Sequence, residues 1–196
     1  MPINRKIFVF ITVLALFSPG QRCFSQAEDN KPAVYDEGNN WLTFQSAYFT
    51  VYYKPDVNIR KVLGRISGRD IPISQNPPSY ALSGIEAKLA YRLDMLFMRV
   101  EDVLGMHPQN VNIKIKIYKY RKETNEEFCY LNRGNEVCRA FYFYSHNTIY
   151  ASEQDINDSV ISHEMAHAAV DNYFSSRPPE KMAEILATNV DLHLDD

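Results

Sequence analysis

The stretch VISHEMAHAAVDNY (residues 160–173) constrains the chain more than any other. His163 and His167 stand four apart, Glu164 follows the first, and Ala166, Ala168 and Ala169 lie among them. On an α-helix, positions i and i+4 project from one face a turn apart, so both imidazoles reach toward one point. The small uncharged neighbours suit a helix packed closely on its surroundings with a single polar face. Burying two imidazoles and a carboxylate there is costly unless they serve one another. The pattern predicts a helix over residues 156–174, with acids and amides at 155–158 favouring its start. SSRPP (175–179) ends it, and Pro179 opens a further helix over residues 180–192.

Upstream, SAYFTVYYKP (46–55) is rich in β-favouring residues and reads as a strand ended by Pro55. VNIRKVLGRI (57–66) reads as a short helix, and the Pro-, Ser- and Gly-rich 68–84 as a loop. Ile85, Leu89, Leu93, Leu96, Val100 and Val103 recur at helical spacing, with Ser83 and Glu86 placed for a capping box and Gly105 as the stop. VNIKIKIY (111–118) alternates strictly, as a half-buried strand does. KETNEEFCYL (122–131) reads as helix, NRGNE (132–136) as turn, and CRAFYFYS (138–145) with TIYAS (148–152) as a β-hairpin. One mixed α and β domain over residues 28–196 accounts for the whole.

Two histidine nitrogens one turn apart suit zinc, which takes nitrogen ligands at about 2.0–2.1 Å. Glu164 can reach an activated water without being a ligand, and can serve as general base. A catalytic zinc takes a third protein ligand. The following helix offers Glu180, Glu184, Asp191 and His193. A short helix–helix connection brings its middle back beside the histidines, which favours Glu184. Glu180 starts the helix and suits its dipole, while Asp191 and His193 lie past the point of closest approach. Asp171, one turn after His167, is a candidate to support a ligand from behind.

HEMAH, a helix break and then AEILA resemble the gluzincin (peptidase MA-like) zinc metallopeptidases over roughly residues 111–194. The resemblance implies an α+β zincin-like fold with a small mixed sheet, an active-site helix bearing HExxH and a following helix bearing the third ligand. It implies His163, His167 and Glu184 as ligands of Zn2+ and Glu164 as catalytic base. It also implies a sheet edge that takes an extended peptide or protein substrate in antiparallel fashion, a place that TIYAS occupies before the motif helix. An acid shortly after the glutamate often orients a histidine in that family; Thr188 holds the usual position, with Asn189 and Asp191 nearby. Larger members carry a tyrosine or histidine further downstream that stabilises the oxyanion. Tyr150, Tyr173 and His146 are the substitutes available here.

Arg5 and Lys6 precede the apolar run IFVFITVLALF (7–17), Ser18, Pro19 and Gly20 break it, and SQA (25–27) offers small residues for cleavage. This is the pattern of a secretory signal peptide over residues 1–27. The run is shorter than the roughly 20 residues that span a bilayer, so no stable membrane insertion is expected after cleavage. A secreted or periplasmic protein follows. The net charge of −3 and the lack of a basic face argue against nucleic acid. Cys129 and Cys138 then remain in an oxidising compartment, and a local disulfide is expected. The function expected is zinc-dependent peptide hydrolysis. The alternative is a catalytically inactive, zinc-stabilised binding or scaffold domain, motivated by the absent downstream tyrosine or histidine.

Overall fold

The computed structural model describes residues 40–67, 84–132 and 137–195. The leader pattern, the loop at 68–83, the Ser83 cap and the turn at 133–136 lie outside them. In chain order the elements are β1 (Leu42–Gln45), β2 (Phe49–Tyr53), α1 (Ile59–Arg65), α2 (Ile85–Leu104), β3 (Ile113–Tyr118), α3 (Arg121–Asn132), β4 (Ala140–Phe143), β5 (Thr148–Ser152), α4 (Asp158–Tyr173) and α5 (Glu180–His193). A single 3-10 turn, Tyr144–His146, joins β4 to β5.

The strands form one mixed sheet in the order β1-β2-β3-β5-β4. β2, β3 and β5 run parallel, while β1 and β4 are antiparallel to their neighbours. On one sheet face Phe49, Val51, Ile113, Ile115, Ile117, Ile149 and Ala151 meet Leu89, Leu93, Phe97 and Val100 of α2 and Met165, Ala166, Ala168 and Ala169 of α4. Ala187 and Val190 carry α5 into the same core. On the other face, Tyr118, Phe141, Phe143 and Tyr150 gather around Phe128 of α3.

β3 departs from the half-buried strand expected. Its alternation is real, yet Lys116 is only 4% exposed, with its ammonium 5.2 Å from the Trp41 ring centre. A central strand in a parallel arrangement is covered on both faces, and aromatic faces accept a lysine there through cation–π attraction. β1 is an element with no strong pattern of its own. Of its four residues only Phe44 is buried, so pairing with β2 defines it.

The hairpin of β4 and β5 forms as expected, but β5 is not the sheet edge. It pairs with β3 on one side and β4 on the other, and β4 is the edge strand. The expected disulfide between Cys129 and Cys138 does not form. The Cys138 N–H donates to Asn125 Oδ1 at 3.1 Å. Asn125 lies one turn before Cys129 on α3, which seats Cys138 about 6 Å along the helix from its expected partner.

Helix ends follow local chemistry. Gly105 closes α2 in the left-handed region at φ 62, which glycine adopts without Cβ strain. Gly84 takes the N-cap position of α2 and makes no side-chain cap bond. Asn157 caps α4 by accepting from the Val160 N–H at 3.0 Å. Asp94, buried on α2, ties that helix to the β1–β2 turn by accepting from the Ala47 N–H at 2.9 Å and from Ser46 Oγ at 2.6 Å. No described helix is long and apolar enough to cross a membrane.

Candidate metal centre

α4 carries buried residues on most of its circumference, including Ile161, Ser162, Met165, Ala166, Ala168, Ala169 and Val170. The alanines let α2, α5 and the sheet approach closely. What the helix leaves toward α5 is the strip holding His163 and His167. Their Nε2 atoms face each other at 3.3 Å. Glu184, one turn into α5, brings Oε1 to 3.4 Å from His167 Nε2 and Oε2 to 3.8 Å from His163 Nε2. The three side chains offer ligand atoms that all lie within 4.8 Å of one another.

This donor set fits zinc. Tetrahedral ligands at about 2.0–2.1 Å from a common ion stand about 3.3–3.4 Å from each other, close to the spacings observed. Two imidazoles and a carboxylate also leave one position of a tetrahedron open, as catalytic sites do. The His163, His167 and Glu184 side chains keep 27%, 16% and 30% exposure, so a substrate can approach from solvent.

The surrounding charges orient this set. His163 Nδ1 lies 2.9 Å from Asp191 Oδ2. An ionised carboxylate can only accept, so Nδ1 carries the proton and Nε2 is turned to the ligand point. Burial acts to lower the His163 pKa, but the Asp191 hydrogen bond and the charges of Glu164, Asp191 and Glu184 outweigh it and raise it to about 9. Burial, then the charges of His163 and Arg177, push His167 down to about 3.

Glu164 points elsewhere. Its Oε2 accepts the Tyr142 N–H of β4 at 2.7 Å, and it is buried. Burial pushes its pKa up to about 7, against the pull of His163 and of that N–H. Because Tyr142 spends its N–H on Glu164 and not on β5, its carbonyl is the main-chain group it leaves on the open side of β4. The edge strand and the motif helix are therefore joined at the residue expected to act as base.

Most of the predicted residues meet here: His163, His167 and Glu184 converge, with Glu164 beside them. Glu180 sits in the first turn of α5. Asp191 does not lie out of reach, as its position near the helix end suggested. It is seven residues after Glu184, two turns on the same face, and it grips His163. Asp171 supports neither histidine; it accepts from the Tyr142 hydroxyl at 3.2 Å and pairs with Arg177 Nε at 3.6 Å. The candidate oxyanion residues fall away from the centre: Tyr150 is fully buried and stacked on Phe141 across the sheet, and His146 contacts its hydroxyl at 3.3 Å. Tyr173, half exposed, closes the last turn of α4. Sequence reasoning did not reach Tyr142 and Arg177, which come to the site from a strand edge and a loop and carry no spacing signal.

No family model, curated protein or solved structure matches this chain.

Proposed function

We propose that this chain is an exported, zinc-dependent peptidase of gluzincin type, with His163, His167 and Glu184 holding the metal and Glu164 acting as general base. The observation that carries this reading is the convergence of the three ligand atoms within 4.8 Å beside a carboxylate tethered to a sheet edge at 2.7 Å. Export rests on the leader pattern of residues 1–27.

Zinc held by His163, His167 and Glu184 would supply Lewis-acid polarisation of the scissile carbonyl and would lower the pKa of a water toward about 7. The chain supplies the rest. Asp191 holds the His163 ring in the ligating orientation. Glu164 takes the proton of the attacking water and passes it to the leaving amine, and the Tyr142 N–H fixes the carboxylate between helix and strand while it does so. The open side of β4 takes the extended substrate by main-chain hydrogen bonds, in the place assigned to β5 by sequence alone.

Glu164→Gln tests this directly. It keeps the shape of the side chain and removes the base, so the zinc-loaded variant retains its metal while peptide cleavage falls by about 10²-fold or more. Equal metal content and equal absence of cleavage in wild type and variant would support the scaffold alternative.

A further inference from the structure

We infer that Arg177 forms a carboxylate-binding subsite beside the metal centre, and that the substrate is a peptide with aspartate or glutamate two or three residues before the cleaved bond. This rests on the peptidase reading above.

Arg177 lies in the connection between α4 and α5. Its guanidinium carbon sits 3.8 Å from the centre of the Tyr144 ring, and its Nε lies 3.6 Å from Asp171 Oδ1. Stacking on one face and an ion pair on the Nε side hold the plane of the group. Among the described residues neither Nη1 nor Nη2 makes a hydrogen bond, Asp171 is the guanidinium's one ion-pair partner, and the side chain is 42% exposed. A guanidinium fork oriented in advance, with no hydrogen bond at its terminal nitrogens, is suited to bidentate recognition of a carboxylate.

The electrostatic setting points the same way. Glu164, Glu184, Asp191 and Asp171 make the ground around the metal centre acidic. The cation that answers them is Arg177, paired with Asp171 at 3.6 Å. An acidic side chain entering at this point meets that cation, whereas a neutral one gains nothing from it. Such an arrangement selects between substrates.

The position along the edge follows from chain direction. Glu164 is bound at Tyr142, which places the cleaved bond level with that residue. A substrate antiparallel to β4 runs its N-terminal residues toward Phe143 and Tyr144. At about 3.3 Å per residue, the Tyr144–Arg177 pair meets a side chain two or three residues before the bond.

The experiment uses the full chain loaded with zinc. Cleaved sequences are first found by mass spectrometry in a mixture of synthetic peptides of varied sequence. One of them is then remade with Glu, Ala or Lys at each of the three positions before its cleaved bond, and kcat/KM is measured for wild type, Arg177→Gln and Arg177→Lys. Wild type is expected to favour Glu over Ala by about tenfold or more at the second or third position. Arg177→Gln loses that preference, its kcat/KM falling about tenfold more on the Glu peptide than on the Ala peptide, and keeps its zinc, while Arg177→Lys retains part of the preference. Equal losses on the Glu and Ala peptides would show Arg177 to be only a clamp between Tyr144 and Asp171. Cleavage by wild type without acidic preference overturns the subsite alone. No cleavage of any peptide overturns the peptidase reading, and the subsite with it.

Discussion

At 2.9 Å from His163 Nδ1, the Asp191 carboxylate chooses the tautomer that turns Nε2 toward His167 and Glu184. Removing such a partner typically weakens metal affinity 10–100-fold. Asp191→Ala is expected to lower zinc affinity by about that factor in a chelator competition, with the far-ultraviolet circular dichroism unchanged. Unaltered affinity would remove Asp191 from the site. The residue had a legible signal that the HExxH spacing alone hides. Four positions after Glu184 stands Thr188, which is exposed, whereas the acid that serves is one turn further along the same face. Tyr142 and Arg177 left no such trace, because a backbone N–H and a loop guanidinium gain their roles only from tertiary placement.

Element junctions carry the next set of consequences. Glu153, buried after β5, accepts from the Asn58 N–H at 2.8 Å and from Lys119 Nζ at 2.6 Å, and pairs with Lys61 at 3.1 Å. It joins the start of α1 to the ends of β3 and β5. Burial pulls its pKa up, but Lys119, the Asn58 N–H and Lys61 outweigh this and hold it at about 2. A carboxylate depressed on folding stabilises above its ordinary value near 4.5, and that contribution is lost as pH falls toward 2. Denaturant unfolding of wild type and Glu153→Gln at pH 6 and pH 3 should therefore differ more at the higher pH. A constant difference would contradict the linkage. A second junction is α4 against α5, where Ala187 is fully buried. Ala187→Leu overpacks it at a cost of about 1–3 kcal/mol and moves Glu184 off the histidines. Thermal midpoint and zinc affinity should fall together; a loss of stability with affinity intact would mean that the metal does not depend on this packing. The helices α2, α4 and α5 were legible because apolar spacing and the breakers that bound each segment are local to it. β1 was not, since four residues with one buried side chain say little without the strand beside them.

For the whole molecule, the sheet order β1-β2-β3-β5-β4 determines what each local pattern is for. Strict alternation in β3 signals a strand but not its rank, and only the parallel neighbours on both sides bury Lys116. TIYAS has the composition of a strand whether it is central or at the edge, so the placing of β4 outside it was beyond a local reading. The absent disulfide has the same origin: cysteine spacing measures sequence, whereas Asn125 sets where Cys138 stops along α3. The proposed metal ligands come from two elements, α4 and α5, so a metal that binds only the folded state should stabilise the entire chain by mass action. Zinc is expected to raise the thermal midpoint of metal-free wild type and to leave that of Glu184→Ala unchanged.

The central claim is that His163, His167 and Glu184 form one zinc site, and metal stoichiometry tests it most directly. Wild type, Glu184→Ala and Glu180→Ala are purified, exposed to zinc, dialysed and analysed for bound metal. Wild type and Glu180→Ala should each retain one zinc per chain, and Glu184→Ala should retain little. Loss of zinc from Glu180→Ala with retention in Glu184→Ala, or no zinc in any of the three, would contradict the account.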